Sequence, residues 1–398
     1  MNTDFLTYKL QLDGLAVFSA LKKDPVVSGL RRLFEELADP RTLSDQVSIY
    51  ADVLSAMYPV SSDLSEYIRR LVLADDNFYV RAVASGDPMS EEIRETVRHE
   101  LNVLQNLSTL SYKSVCDAIG YDGALPAWTN STVSILGDFM EKLQRLPVTG
   151  YGIFASSRFF RIDGDRIVPV PHPDVQPLSE LFGYERQREM VMRNTEALLS
   201  GEGASDILLY GDAGTGKSST IKAVAWAYAD RGLRLIEVKK DQLDRIPAIM
   251  EELALHPLKF ILFIDDLSFS GNDDHFSALK ATLEGSVAGC GENTVIYASS
   301  NRRHLVRETM SGREGDELHV NDTLQETMSL AARFGLTITF QKPDKEEYLR
   351  IVRSLADLHG IDMPEEELFR KAEAHALRKN GRSPRTARQF VELLNIGL

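Results

Sequence analysis

The chain of 398 residues is 43% hydrophobic and 26% charged, an ordinary globular balance with length enough for two or three domains with real cores. Its apolar runs, such as FILFI and VPVP, fall far short of the roughly 20 residues that span a bilayer, and MNTDFLTYKLQLDG has no basic region followed by an apolar stretch, so a soluble cytoplasmic protein without membrane contact is expected. The formal net charge of -14 argues against passive adhesion to nucleic acid, and Cys116 and Cys290, free of CxxC spacing, suggest neither a disulfide framework nor a zinc site.

Residues 1–148 read as an all-helical domain. DPVVSGLRRLFEELAD, SDLSEYIRRLVLADD and SEEIRETVRHELNVLQNL each place apolar residues three or four apart, and Ser90 ahead of Ile93 and Val97 has the form of a capped start. Residues 149–177 change texture: aromatic and β-branched residues, a turn at Gly164 and Asp165, and four prolines predict a short strand pair and an extended connector. From 178 to 343 helix and strand alternate. A helix over SELFGYERQREMVMRNTEALLSG leads to the strand DILLYG, the helix SSTIKAVAWAYADRG and the strands LRLIEVKK, KFILFIDD, NTVIYASS and LTITFQK. Strands that are apolar throughout imply a parallel sheet covered on both faces, hence an α/β domain. The polar, turn-rich stretch 307–327 is expected to be a surface loop, and residues 344–398 read as three helices with proline near two starts and glycine at the ends.

Within this frame, LLYGDAGTGKSST carries Gly211, Gly216, Lys217 and Ser218 in the spacing GxxxxGK[ST], between an apolar strand and an amphipathic helix. Small residues are needed there because several backbone N–H groups must turn inward around phosphates. Gly211, Asp212, Ala213, Gly214, Thr215, Gly216, Lys217, Ser218 and Ser219 therefore form a candidate cradle for ATP, with Lys217 on the β and γ phosphates and the Ser218 hydroxyl on Mg²⁺.

A second strand must bring a carboxylate to that metal, and FILFIDD does so: Asp265 would emerge at the strand's carboxyl end, and burial there without a cation would be costly. Asp266 follows as the candidate base for an attacking water. Taken alone, the two acids could simply cap the next turn. Asn301, ending the strand in YASSNRRHL, is placed to orient the water, although an asparagine at a strand end is ordinarily a turn residue. Arg333, ahead of the last strand, could clamp a phosphate or form a surface ion pair. Arg385 and Arg388, three apart in SPRTARQF, share a helical face that could reach the nucleotide or remain solvated.

The order of these pieces resembles the AAA+ P-loop ATPases. LLYGDAGTGKSS, FIDDLSF, LKATLEG, SSNRRHL, SLAARFGL and SPRTARQF look like an uncharacterised family of bacterial AAA+ ATPases known as a domain of unknown function, from about Leu178 to the C-terminus. The resemblance implies a five-stranded parallel sheet flanked by helices, a C-terminal helical lid and a helical N-terminal domain. It implies Walker A at Gly211 to Ser218, Walker B at Asp265 and Asp266, sensor 1 at Asn301, an arginine finger at Arg333, sensor 2 at Arg385 and an adenine contact at Tyr184. Two positions depart from the family pattern: Ala332, where an acid usually precedes the finger, and Ala213, where the loop is often basic.

The function expected is an Mg²⁺-dependent ATPase, assembled as a nucleotide-dependent homo-oligomer and acting on a protein partner through its N-terminal helices. A weakly hydrolysing ATP switch, and a DNA or helicase loader using Arg302, Arg303 and the arginines of 378–388, are the alternatives; nucleic acid is not favoured. Aspartate is shorter than glutamate by one C–C bond, ~1.5 Å, so Asp266 must stand closer to its water or polarise it less.

Overall fold

The computed structural model describes residues 4–40, 42–267, 279, 283, 292–301, 332–379 and 381–397. Cys290, Arg302, Arg303 and the stretch 307–327 lie outside them. The chain divides into two compact units, Met1–Ala155 and Ser156–Leu398.

The first unit is helical: α1 (Phe5–Asp13), α2 (Pro25–Ala38), α3 (Leu43–Met57), α4 (Leu64–Ala74), α5 (Phe78–Ser85), α6 (Glu91–Ser108), α7 (Tyr112–Ile119) and α8 (Ile135–Thr149). Short polar side chains cap the starts of these helices, α6 excepted. Asp24 accepts the amides of Val26 and Val27 ahead of Pro25, and Asp63 and Asn77 accept those of Glu66 and Val80. Ser90 stands at the start of α6 as expected but makes no side-chain bond to the helix backbone; its hydroxyl bonds the Glu92 carboxylate instead. The apolar stripes close over a core containing Phe18, Phe34, Tyr50 and Phe139, and the buried Glu100 carboxylate gathers the amides of Ala16, Val17 and Phe18 at 2.7–3.2 Å.

In the second unit the strand pair is present, β1 (Phe159–Asp163) and β2 (Arg166–Pro169), joined by Gly164 and Asp165. Five further strands follow: β3 (Ile207–Gly211), β4 (Leu233–Val238), β5 (Lys259–Ile264), β6 (Thr294–Asn301) and β7 (Leu336–Phe340). The sheet has seven strands rather than five, in the order β2-β1-β4-β5-β6-β3-β7. The pair expected as a connector extends it, because β1 lies parallel to β4 with Phe160 opposite Ile236 and so satisfies an edge that would otherwise be open. β3, β4, β5 and β6 are buried almost throughout, as a parallel sheet covered on both faces requires, whereas edge strand β7 alternates.

Helices α9 (Glu185–Ser200), α10 (Lys217–Ala227) and α11 (Ile246–Leu253) serve this sheet. α9 begins later than its periodicity predicts, because Gly183 and Tyr184 both take positive φ. α11, in RIPAIMEEL, is an addition to the sequence expectation: parallel neighbours β4 and β5 cannot join by a tight turn. The three expected tail helices are α12 (Lys345–Leu358), α13 (Glu365–Arg378) and α14 (Pro384–Asn395), packed on Tyr348, Val352, Leu368, Ala372, Phe390 and Val391. Reading across from β4 to β7, the order 4-5-6-3-7 puts the strand that carries the glycine loop between two others. The carboxyl ends of β3, β5 and β6 therefore converge, and in register Gly211 faces Asn301 and Ile264 faces Ala298.

Candidate nucleotide site

The site is built where those strand ends meet. Gly211 closes β3 with φ +146°, and a Cβ there would stand 2.0 Å from the Phe340 carbonyl oxygen, so only glycine lets β7 run this close. The chain then turns over Asp212, whose amide donates to that same carbonyl at 3.0 Å and whose carboxylate accepts the Lys342 amide at 3.1 Å. Thr215 Oγ1 donates to the Asp212 carbonyl at 2.8 Å, and Gly216 starts α10 in left-handed geometry. Gly214 touches the tail: its carbonyl accepts the Arg385 amide at 3.2 Å, and a Cβ on it would stand 3.2 Å from Ser383 Oγ.

Lys217 lies beneath this loop, 6% exposed. Its Nζ donates to the carbonyls of Gly211 and Asp212 at 3.1 and 2.7 Å and to Asn301 Oδ1 at 2.8 Å. Among the described residues it makes no ion pair. Burial pulls its pKa down, against the opposing fields of Asp212, Asp265 and Asp266. A buried cation held only by dipoles is an unfinished electrostatic arrangement, and an anion at the loop would complete it.

The paired acids emerge beside it, and one expectation is corrected. Both Asp265 and Asp266 are exposed to the cleft, so no burial cost calls for a cation at Asp265. What fits a hard divalent ion is instead the oxygen set, with Asp265 Oδ1 accepting from Ser218 Oγ at 2.6 Å. Asp266 has φ +52°; it and Tyr184 are the non-glycine residues with positive φ among the described residues, and both line this cleft. Its Oδ1 accepts from Asn301 Nδ2 at 2.8 Å, which makes a continuous chain from Lys217 through Asn301 to Asp266.

Ser299 was not singled out by the sequence. Its Oγ donates to Asp265 Oδ1 at 2.6 Å and accepts the Asp266 amide at 3.1 Å. The available signal was the pair of hydroxyls in YASSN, polar residues interrupting an otherwise apolar strand.

The cleft encloses about 460 Å³. Leu181, Phe182, Ile351, Leu355 and Pro384 give its lining an apolar part that the sequence did not single out, beside Tyr184, which it did. Tyr184 stacks on Phe340 at 5.2 Å between ring centres and donates its hydroxyl to the Gln341 carbonyl. Ala213 and Ser219 line the loop end.

The tail arginines separate. Arg382 turns away to pair with Glu373, Nε to Oε1 at 2.8 Å, whereas Arg385 and Arg388 both line the cleft, Arg388 lying 3.9 Å from Glu180. Arg385 occupies the first turn of α14, after N-cap Ser383 and Pro384. A cation there opposes the helix dipole, by about 0.3–1 kcal/mol, unless an anion faces it.

Arg333 is not brought to the cleft. It precedes β7, whose start pairs with the start of β3: Leu336 lies opposite Ile207 and donates its amide to the Asp206 carbonyl. Five residues of strand, about 16 Å, separate that end of the sheet from the glycine loop.

A glycine-loop strand between the strand ending in Asn301 and the last strand, a largely parallel sheet and three C-terminal helices are the arrangement of the AAA+ class of P-loop folds. Within that class, the chain belongs to the family described as "Protein of unknown function (DUF815)", whose model matches residues 155–397. Among solved structures it is similar to a RuvB mutant of Thermotoga maritima, with 16% identity and a TM-score of 0.37, over 55% of this chain and 64% of that one. It is also similar to the FIGL-1 AAA domain in complex with ADP, with 16% identity and a TM-score of 0.40, over 57% of this chain and 75% of that one. The chain thus spans under two thirds of the RuvB chain.

Proposed function

We propose that this protein is a cytoplasmic, Mg²⁺-dependent ATPase whose turnover depends on self-assembly and is coupled to remodelling or regulation of a protein partner. The observation that carries this reading is Lys217: a buried ammonium ringed by carbonyl oxygens, at the mouth of a glycine loop, awaiting an anion. The loop amides, the start of α10 and Arg385 add positive potential at the same place, and the apolar wall at Leu181, Phe182 and Ile351 suits a base.

Ser218 and Asp265 would hold Mg²⁺, which when bound neutralises charge developing on the phosphate oxygens. Lys217 holds the β and γ phosphates. Asn301 orients water, Asp266 takes its proton as the oxygen attacks the γ phosphorus, and the bond to the β–γ bridging oxygen breaks with ADP as leaving group. Arg333, remote from the loop of its own chain, is assigned to the site of a neighbouring copy, where an arginine is worth about 10³ to 10⁵ in rate. Arg385, on the lid, reports the nucleotide state.

The chain Lys217–Asn301–Asp266 gives one specific support to the second reading, a slowly hydrolysing switch, since it occupies the amide and the carboxylate that water needs. The loader reading loses Arg382, which is committed to Glu373.

Calorimetric titration with ATP and a non-hydrolysable analogue tests the site. Lys217→Ala should weaken binding at least about 100-fold, since it removes a buried phosphate partner, whereas Asp266→Asn should bind as wild type and release no phosphate. Equal affinity for wild type and Lys217→Ala would contradict the assignment of the loop.

A further inference from the structure

We propose that Ser299 is a positioning residue, whose hydroxyl sets the aim of both acids at once; this rests on the ATPase reading above. Ser299 is 2% exposed in the penultimate turn of pleat on β6, and its hydroxyl makes contacts in two directions. The proton goes to Asp265 Oδ1 at 2.6 Å, and the oxygen accepts the Asp266 N–H at 3.1 Å. The same N–H reaches Asp265 Oδ1 at 3.0 Å, so hydroxyl, carboxylate and amide form a closed triangle.

The neighbouring backbone shows what this triangle restrains. Leu267 donates its amide to the Ser299 carbonyl at 2.7 Å, and Ser300 Oγ donates to the Leu267 carbonyl at 2.6 Å. Residue 267 is therefore fixed by backbone and by Ser300, and residue 264 by the β5–β6 ladder. Between these two anchors the chain must turn within Asp265 and Asp266, and it does so by placing Asp266 at φ +52°, in the region that favours glycine. The Ser299 hydroxyl shares the amide of this residue with Asp265 Oδ1, and it is the partner from outside the turn that fixes the peptide from which the Asp266 carboxylate projects toward Asn301.

The same hydroxyl acts on Asp265. Ser218 Oγ also donates to Asp265 Oδ1, at 2.6 Å, but Ser218 is itself needed as an oxygen ligand once a metal is held. Ser299, 3.4 Å from Ser218 Oγ, is then the hydroxyl left to keep Asp265 in its rotamer. A short carboxylate reaches water over a narrow range of angles, so it tolerates less wander than a longer one; a rigid triangle supplies that restraint.

The test compares Ser299→Ala and Ser299→Thr with wild type in the full chain. Two quantities are read: kcat and KM for ATP, and the Mg²⁺ concentration that half-saturates binding of a non-hydrolysable ATP analogue, which needs no turnover. Loss of a group that orients a ligand carboxylate typically costs about 10- to 100-fold, so Ser299→Ala should lower kcat by at least about tenfold with KM within about twofold, and raise the Mg²⁺ midpoint severalfold. Ser299→Thr, which keeps the hydroxyl, should restore both. Unchanged kcat and Mg²⁺ midpoint in Ser299→Ala, loss of analogue binding even at saturating Mg²⁺, or failure of threonine to restore either quantity would each overturn the proposal. If wild type itself releases no phosphate, the ATPase reading fails, while the Mg²⁺ midpoint still decides the part played by Ser299. Should Ser299→Ala not fold, Ser299→Cys, of similar size but a weak donor, should show the same rise in the Mg²⁺ midpoint, and its absence would overturn the proposal.

Discussion

Asp266 has a backbone conformation that its side chain does not prefer, and this can be measured apart from chemistry. Its φ of +52° favours glycine, and Asn301 and Ser299 hold the residue there. Asp266→Gly should therefore be about 1 kcal/mol more stable than Asp266→Ala in denaturant unfolding, although both remove the carboxylate. Equal stabilities would mean that the turn relaxes and that the strain is not real. The residue types of the site, a lysine and a serine after glycines and two acids after an apolar run, were legible because each is demanded by phosphate or metal chemistry. Positive φ at Asp266 and Tyr184 was not, since aspartate tolerates a left-handed turn without demanding one and tyrosine gives no sign of it. The same limit hid Ser299, whose importance comes from its register beside Asp265 and not from its neighbours in sequence.

At the level of strands and helices, the sheet is held in register by more than its ladder. Asp206, just ahead of β3, accepts the Ile296 amide of β6 at 2.6 Å, and burial raises its pKa above the ordinary carboxylate value although that bond opposes the shift. Between the ordinary and the raised value the folded protein binds more protons than the unfolded chain, so this group's contribution to stability falls as pH rises through that window. Asp206→Asn keeps an oxygen to accept the amide and removes the titration. The melting temperature of Asp206→Asn relative to wild type should accordingly increase from about pH 4 to neutrality. A relative decrease would show that the carboxylate is favoured as an anion. The core strands and the three lid helices were legible from continuous apolar runs and from periodicity. The extra edge made by β1 and β2 was not, because a short strand pair looks the same whether it stands alone or completes a sheet. Helix α11 was passed over as well, its proline and short length masking a crossover that parallel strands require.

On the scale of the whole molecule, two compact units each have their own core, and among the described residues no helix is long and apolar enough to cross a membrane. Among the described residues the cations that line the cleft of the second unit are Arg188, Lys217, Arg385 and Arg388, and Arg333 is not one of them. Arg333 stands ahead of β7, at the end of the sheet away from the glycine loop, so the finger role proposed for it asks for a second copy of the chain. The isolated protomer should then bind nucleotide well and hydrolyse it poorly. Steady-state phosphate release per protomer, measured with Mg²⁺ and ATP over a wide range of protein concentration, tests this most directly. Turnover should rise with concentration to a plateau and be absent in Lys217→Ala; turnover independent of concentration would contradict the shared site, and turnover that survives Lys217→Ala would contradict the site itself.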